Sequence, residues 1–218
     1  MAYAPSSSPP AAEPPAANPP AANPPAAGRQ AVYLPDPAQT MAKILVAGAF
    51  GVGKTTMIGS LSEIPPLHTE EVMTTVGAVV DDLADLSGKT TTTVAMDFGR
   101  YSLPDQDLVL YLFGAPGQER FRALWEDLAH EALGAVVLVD TLRLEDSFWV
   151  MSAVEERRVP YVVAVNGFPR SPDYPVERLR QALDLAPETP LVTCDARDAD
   201  SCLRVLIALV DHLLTHYT

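Results

Sequence analysis

Residues Gly48–Thr55 read GAFGVGKT and match the pattern G-x-x-x-x-G-K-[ST] of a phosphate-binding loop. An apolar run, Lys43–Ala47, precedes this phosphate loop, and a segment with helical periodicity, Thr56–Leu61, follows it. Glycines let successive backbone N–H groups point into one concavity, and the following helix adds the positive end of its dipole. A glycine-rich turn that only joins a strand to a helix is the competing interpretation. The matching flanks favour a site that cradles a polyphosphate.

The residue types in the phosphate loop suit a nucleotide and a divalent cation. Lys54 is placed to reach the β- and γ-phosphates, and the Thr55 hydroxyl is placed to bind Mg²⁺. The sequence therefore predicts nucleotide contacts from Gly48, Phe50, Gly51, Val52, Gly53, Lys54, Thr55 and Thr56.

Composition and charge restrict the kinds of partner that this chain can have. Its 218 residues leave room for one domain and a tail, and its formal net charge is −13. Because nucleic acids and anionic membranes select basic surfaces, neither is expected as the main partner. Cys194 and Cys202 show no metal-ligand spacing, and no apolar run is long enough to span a membrane. A cytoplasmic protein is expected, free or held at a membrane surface by its partners.

The first 40 residues differ in composition from the rest of the chain. AAEPP at residues 11–15 recurs as AANPP at residues 16–20 and 21–25. Such a segment buries too little apolar surface to offset the entropy of ordering it. We expect residues 1–40 to form a disordered Pro/Ala-rich tail, with docking into an aromatic-lined groove as the alternative. Residues 41–218 then form the folded domain.

From Met41 onward, strand patterns alternate with helix patterns, as in a sheet covered on both faces. The predicted strands are Met41–Ala47, Thr90–Leu103, Leu108–Phe113, Gly134–Thr141, Pro160–Val165 and Leu191–Cys194, with Ala78–Val80 as a further candidate. The predicted helices are Lys54–Glu63, Glu119–Leu133, Glu145–Arg158, Pro175–Leu185 and Asp198–His216. This order predicts an α/β three-layer sandwich with a six-stranded, mixed but mostly parallel sheet and five helices.

The segment Phe113–Phe121, FGAPGQERF, resembles the D-x-x-G-Q-E segment of Ras-like small GTPases, and the likeness extends from Met41 to the end of the chain. The resemblance implies that the Gly117 N–H senses the γ-phosphate and that Gln118 orients the attacking water. Together with Lys54, these are the predicted catalytic residues. Gly114 stands where that family has an aspartate, and glycine has no side chain that could bind Mg²⁺.

A second segment, Thr90–Arg100, is similar to the corresponding strand of bacterial small GTPases of the polarity-control and conservon type. The resemblance implies that Asp97 takes over the metal role, and that Thr93 contacts Mg²⁺ and the γ-phosphate together with Thr55. Thr75, in Thr-Val-Gly, is a rival for the role of Thr93. An Asp97 that merely faces solvent on an edge strand is the alternative interpretation.

Two further segments resemble the base-binding loops of Ras-like GTPases. Val162–Pro169 ends in NGFP where the family has N-K-x-D, so Asn166 matches and the guanine-reading aspartate is replaced by Pro169. Losing such a bidentate partner should cost about 1–3 kcal/mol in base discrimination, and Asp173 could substitute only if its loop folds back. Thr193–Arg197 resembles the S-A-K loop, which implies base contacts from Asp195, Ala196 and Arg197; an ordinary helix N-cap at Asp198 is compatible with this.

These resemblances imply a molecular switch that binds GTP or GDP with Mg²⁺ and hydrolyses GTP. Phe50 is bulky for its position, so it should crowd Gln118 and slow hydrolysis in the absence of a partner. The conservon likeness implies a roadblock-type regulator and a sensor-kinase-like protein as partners. Two alternatives stay open: a pseudo-GTPase scaffold, because of Phe50, Gly114 and Pro169, and a switch that prefers ATP, because of Pro169.

Overall fold

The computed structural model describes residues 40–74, 91–103 and 107–216. The predicted tail lies outside these residues, apart from Thr40 itself, and so do Thr75 and the candidate strand at Ala78–Val80. No helix in the described ranges is long and apolar enough to cross a membrane.

The described residues form seven strands and five helices, in an α/β order. The strands are β1 Thr40–Gly48, β2 Leu67–Thr74, β3 Thr91–Leu103, β4 Leu108–Gly114, β5 Ala132–Val139, β6 Tyr161–Asn166 and β7 Leu191–Cys194. The helices are α1 Lys54–Leu61, α2 Arg122–Ala129, α3 Glu145–Glu156, α4 Val176–Ala182 and α5 Ala199–His216, with a single 3-10 turn at Glu119–Phe121 before α2.

All seven strands belong to one sheet, in the order β2-β3-β4-β1-β5-β6-β7. The strand β1 is parallel to both of its neighbours, β4 and β5, and β6 and β7 continue the parallel part. The hairpin β3–β4 and the strand β2 are antiparallel. The predicted mixed, mostly parallel α/β sheet with five helices is therefore confirmed, and β2 extends it by one strand.

Burial on both faces explains why β1 forms the centre of the sheet. Its even-numbered apolar residues, Ile44 and Val46, pack in the core beneath α1 and α5. Leu45 and Ala47 point to the opposite face and pack beneath α2, α3 and α4. A continuous apolar run is what a strand buried on both faces requires. The helix α1 approaches β3 so closely that a Cβ on Gly99 would lie 2.7 Å from Ile58 Cγ2.

The predicted helix at Glu119–Leu133 is shorter in the structure and begins later. Phe121, the last residue of the 3-10 turn, has φ −98° and ψ 20°, outside the α-helical region, and α2 begins at Arg122. The chain turns at Glu131, which has a positive φ of 59°, and β5 begins at Ala132, so Leu133 belongs to a strand. Lys43 donates from Nζ to the carbonyl oxygen of His130, at 2.9 Å, which satisfies an acceptor at this helix end.

Candidate functional site

The phosphate loop leaves β1 and enters α1 through three glycines with positive φ: Gly48 at 137°, Gly51 at 74° and Gly53 at 108°. A Cβ on Gly48 would lie 2.4 Å from the Leu138 carbonyl oxygen, and one on Gly53 would lie 2.6 Å from Asn166 Nδ2. The loop therefore lies tightly against β5 and β6, and its backbone conformation favours glycine at these positions. The result is the strand, loop and helix arrangement that binds phosphate.

Lys54 folds back across the phosphate loop. Its Nζ donates to the carbonyl oxygens of Gly48, at 2.9 Å, and Ala49, at 2.8 Å. Burial lowers the pKa of Lys54 to about 8, an effect that the nearby carboxylate of Asp97 partly opposes. A partly desolvated ammonium group is thus already placed beside the loop, where it can neutralise a bound phosphate.

Asp97 and Thr55 meet at the entrance of the loop. Thr55 donates from Oγ1 to Asp97 Oδ2 at 2.5 Å. The strand β3 carries Asp97 and pairs on one side with β2, at His68, so Asp97 does not lie on an edge strand. The alternative interpretation is therefore wrong in placing Asp97 on an edge strand.

The absence of a side chain at Gly114 makes room for this carboxylate. In the register of β3 and β4, Phe98 pairs with Phe113, which places Asp97 next to Gly114. A Cβ on Gly114 would lie 3.1 Å from Asp97 Cβ and 3.3 Å from its Oδ2. The carboxylate on β3 thus occupies the space that a side chain on β4 would need.

The segment from Ala115 to Phe121, between β4 and α2, lies directly against the phosphate loop. A Cβ on Gly117 would lie 2.1 Å from the Gly48 carbonyl oxygen, so glycine is required for this approach. Ala115 N donates to Val46 O at 2.9 Å, and Trp125 Nε1 donates to Pro116 O at 2.9 Å. Sequence reasoning missed this role of Trp125, because nothing in a tryptophan on a helix shows which carbonyl it will bind.

The phosphate loop, Asp97 and the β4–α2 segment enclose a cleft of about 460 Å³. Gln118 lines this cleft together with Phe50, whose side chain stands on the rim and is 77% exposed. The remaining lining residues are Gly51, Gly53, Lys54, Thr55, Thr56, Asp97, Gly114, Ala115, Pro116, Gly117, Arg120 and Phe121. The predicted catalytic pair Gly117–Gln118 and the predicted metal ligands Thr55 and Asp97 therefore share one cleft.

The backbone of β3 places Thr93 away from Asp97. It lies on β3, paired with Val72 of β2. Four residues of extended strand separate it from Asp97, a distance of about 13 Å. The prediction that Thr93 joins Thr55 and Asp97 at a metal ion does not agree with this arrangement, because an extended strand cannot bring both residues to one ion. Its rival, Thr75, lies outside the described residues.

Asn166 connects the other side of the phosphate loop to the β7–α5 loop, Asp195–Asp198. Its Nδ2 donates to Val52 O at 2.9 Å, and its Oδ1 accepts from Ala196 N at 3.0 Å. Ser60 adds a bond from Oγ to Ala196 O at 2.7 Å. The Ala196 N–H, which the resemblance assigns to the base, is thus bonded to Asn166 in this structure.

Asp195 and Arg197 form an ion pair on the surface of the β7–α5 loop. Asp195 Oδ1 accepts from Arg197 N and Nε, and Oδ2 accepts from Nη2 at 2.8 Å. These hydrogen bonds lower the pKa of the Asp195 carboxyl to about 2, so it is ionised at neutral pH. Asp198 caps α5, since its Oδ1 accepts from Asp200 N and its carbonyl oxygen from Cys202 N. The base-loop assignment and the N-cap are thus compatible.

The loop that carries Pro169 is anchored by Asp140, a residue that sequence reasoning missed. Asp140 is buried at the end of β5, where its Oδ1 accepts from Ser171 Oγ at 2.9 Å and from Leu142 N at 3.0 Å. Asp173 of the same loop lines a separate cavity of about 270 Å³ beside β7. A charged residue at the end of a buried strand is the only signal in the sequence that could have indicated Asp140.

Comparison with known proteins assigns the chain to a family. Residues 46–216, most of the folded part, match the family described as conserved hypothetical ATP binding protein. The chain belongs to this family. Among curated proteins, it is similar to ADP-ribosylation factor-like protein 6 of Caenorhabditis briggsae, with 26% identity over 132 residues, 56% of this chain and 58% of that protein. It is also 27% identical over 126 residues to the uncharacterized protein MJ1339 of Methanocaldococcus jannaschii. That match covers 57% of this chain and 68% of MJ1339.

Solved structures with a similar fold include two from FeoB proteins. The match to the cytosolic domain of the T. maritima FeoB iron transporter in GDP form II covers 80% of this chain and 64% of the FeoB chain, with a TM-score of 0.56 and 15% identity. The FeoB G-domain from Methanococcus jannaschii matches 80% of this chain and 99% of its own, with a TM-score of 0.53 and 15% identity. This member of the ATP-binding family therefore has a P-loop GTPase-like fold, and it spans less than two thirds of the first relative and of the first FeoB structure.

Proposed function

We propose that this protein is a guanine-nucleotide switch that binds GTP or GDP with Mg²⁺, hydrolyses GTP slowly and signals to partner proteins. The observation that carries the proposal is the meeting of Thr55 and Asp97 at the mouth of a phosphate loop whose lysine is already in place. The position of Asp97 beside Gly114 supports the proposal. Asp97 on β3 gives the site a carboxylate, although β4, which carries the aspartate in Ras-like GTPases, has a glycine there.

The residues at the mouth of the loop fit a magnesium ion. Mg²⁺ prefers oxygen ligands, keeps several of its waters, and is bound in proteins by one or two side chains together with phosphate oxygens. The Thr55 hydroxyl and the Asp97 carboxylate are such a pair, and their hydrogen bond shows that both reach the same point. The ion, when bound, neutralises charge on the β- and γ-phosphates.

Hydrolysis would then depend on how the chain positions a water molecule. Gln118 lines the cleft that contains the phosphate loop and is the residue placed to orient the attacking water. The Gly117 N–H and the Lys54 ammonium would stabilise charge on the transferred phosphoryl group. Phe50 shares the cleft with Gln118 and restricts the room for that water, so the intrinsic rate should be low.

The switch would act through the segment between β4 and α2. Gly117 touches the start of the phosphate loop so closely that a terminal phosphate must alter its position or its contacts. The bond from Trp125 to Pro116 carries such a change into α2.

We extend the proposal to the conservon-type subgroup, with a roadblock-type regulator and a sensor-kinase-like protein as partners. The protein would be cytoplasmic or held at a membrane by them, with residues 1–40 as a disordered tail.

Isothermal titration of the full chain with GDP, GTP, ADP and ATP, each with and without Mg²⁺, tests the proposal. We expect guanine nucleotides to bind more tightly than adenine nucleotides, and Mg²⁺ to strengthen the binding of GTP. Lys54→Ala should abolish binding, because it removes the charge that faces the phosphates. Absence of binding in the wild-type protein would support the scaffold alternative instead.

Preference for ATP is the second candidate function, and two observations favour it. The family is described as ATP binding. The Pro169 side chain offers no acceptor for guanine, and the Ala196 N–H is bonded to Asn166 rather than free to donate to a base. The same titration decides between the candidates, because a reversed order of affinities would identify an ATP switch.

A further inference from the structure

The position of the nucleobase follows from the order of the strands, given the proposed function on which this inference rests. The strand β1 leads into the phosphate loop, with β3 and β4 on one side and β5, β6 and β7 on the other. Asp97 and Gly117, which would face the metal ion and the terminal phosphate, belong to the first side. The nucleoside must therefore extend over the carboxyl ends of β6 and β7, where Asn166 and the β7–α5 loop lie.

The β7–α5 loop comes close to the phosphate loop. A Cβ on Gly53 would lie 3.3 Å from Ala196 Cβ, so Ala196 and the last glycine of the phosphate loop are in contact. Asp195 precedes Ala196, and 42% of its side chain is exposed. An acidic residue thus directly precedes the residue that contacts the phosphate loop on the nucleoside side.

A carboxylate at this place has a chemical consequence for base selection. Guanine presents two adjacent donors, the N1–H and the N2 amine, which one carboxylate can accept together. Adenine presents no such pair, because its N1 is an acceptor and its position 2 carries no amine. Bidentate charge-assisted bonds of this kind are among the strongest and most specific in proteins.

We propose that the Asp195 carboxylate reads the N1–H and N2 amine of a guanine base, and so supplies the acceptor that Pro169 cannot. The acid lies on the β7–α5 loop rather than on the loop after β6. A carboxylate missing from one element would then be supplied by another at two places in the site, since Asp97 on β3 likewise supplies a carboxylate that β4 lacks.

Arg197 holds the carboxylate before the base arrives. Three of its donors bond to Asp195: two to Oδ1 and one to Oδ2, which has room to accept a further donor. The Arg197 side chain is 66% exposed and can move aside without leaving a buried charge. It therefore orients the carboxylate in the free protein and gives up part of its contact when guanine binds.

Asp173 is the rival carboxylate near the end of β6. Its loop folds back, because Thr141 donates from Oγ1 to Pro172 O at 3.0 Å. Asp173 lines a cavity that also contains Asn166 and Cys194. The phosphate loop itself is contacted by Asn166, at Val52 O, and by Ala196, which follows Asp195, at Gly53. Asp173 thus serves as the matched control for Asp195.

A change of nucleotide preference tests this assignment directly. Xanthine carries an oxygen at position 2 where guanine carries an amine, so it offers one donor and one acceptor. In Asp195→Asn, the side-chain amide would match this pattern, while its oxygen still accepts from Arg197. We expect the wild-type chain to bind GTP at least tenfold more tightly than XTP, and Asp195→Asn to reverse this order, as measured by titration of the full chain with each nucleotide and Mg²⁺.

The controls separate the possible failures. Asp173→Asn should keep the wild-type preference, and Arg197→Gln, which breaks the same ion pair but keeps the carboxylate, should not gain a preference for XTP. A second variant, Asp195→Ser, should bind GTP and ITP equally, because ITP lacks the amine that the carboxylate would accept. Tight GTP binding with unchanged preference in both Asp195 variants overturns the role of Asp195 and leaves the switch intact. Failure of the wild-type chain to bind GTP overturns both.

Discussion

At the scale of single residues, Asp97 and Gly114 form a complementary pair. The carboxylate lies on β3, and the residue opposite it on β4 has no side chain to collide with it. A side chain added at position 114 would disturb the site, because its Cβ would lie 3.1 Å from that of Asp97, closer than normal packing allows. The pair explains why a glycine stands where the resemblance leads one to expect an acid.

Moving the carboxylate from β3 to β4 tests this explanation. Gly114→Asp alone places two carboxylates side by side, so we expect a lower melting temperature, by an amount equivalent to about 1–3 kcal/mol of unfolding free energy, and weaker nucleotide binding. Asp97→Ala should remove the effect of Mg²⁺ on GTP affinity. The double variant Asp97→Gly/Gly114→Asp, which also removes the close approach of the two Cβ atoms, should recover that effect, and a double variant as insensitive to Mg²⁺ as Asp97→Ala would contradict the exchange.

Phe50 offers a second prediction at this scale. Its side chain is 77% exposed and shares the cleft with Gln118. Because it contributes little to the core, Phe50→Ala should leave the melting temperature unchanged. If the ring obstructs the attacking water, the variant should hydrolyse GTP about tenfold faster or more in single-turnover assays. Phe148→Ala, another exposed aromatic residue but on α3, is the control for general effects of truncation.

At the scale of elements, Asn166 at the end of β6 joins the phosphate loop to the β7–α5 loop. Its amide satisfies two backbone groups, Val52 O and Ala196 N. Asn166→Ala would leave both without this partner, at a cost of about 1–3 kcal/mol for each group that becomes buried and unsatisfied. We expect a clear loss of stability in urea unfolding and weaker binding of both GDP and GTP. An unchanged midpoint would mean that water replaces the amide.

The parts of the fold that the sequence predicts are those with one dominant signal. Continuous apolar runs identify β1, β5 and β6, and the glycines identify the phosphate loop, because burial on two faces and positive φ leave few alternatives. The strand β2, LHTEEVMT, carries acidic residues and pairs along one edge only, so its sequence lacks a strand pattern. Tertiary pairing with β3 decides its conformation instead.

The candidate site shows the same division. Lys54, Thr55, Gln118 and Asn166 belong to local motifs, and the structure places each of them beside the phosphate loop or its cleft. The contact of Asp140 with Ser171 spans 31 residues, and the bond from Trp125 to Pro116 spans nine across the β4–α2 segment, so both depend on packing that no local pattern encodes. Thr93 shows the limit of resemblance, since its place on an extended strand keeps it away from Asp97.

At the scale of the whole molecule, the proposed switch requires that a change at the phosphate loop reach α2 and the surface beside it. A side-chain hydrogen bond joins α2 to the β4–α2 segment: Trp125 Nε1 donates to Pro116 O, next to Gly117. Trp125 is fully buried and packs edge-to-face on Trp149 of α3, with ring centroids 5.7 Å apart. The indole thus connects the nucleotide cleft to the layer of helices that covers one face of the sheet.

Trp125→Phe should weaken this connection while keeping most of the packing. Phenylalanine fills much of the same space but has no N–H, so Pro116 O loses its donor and the melting temperature should fall slightly, by an amount equivalent to about 1 kcal/mol. In hydrogen exchange of complexes with GDP and with a non-hydrolysable GTP analogue, the wild-type chain should differ in residues 115–129, and the variant should differ much less. Trp149→Phe removes an indole whose N–H has no part in the bond to Pro116 O, so it should retain the difference. Equal differences in both variants would show that the indole hydrogen bond does not couple α2 to the nucleotide.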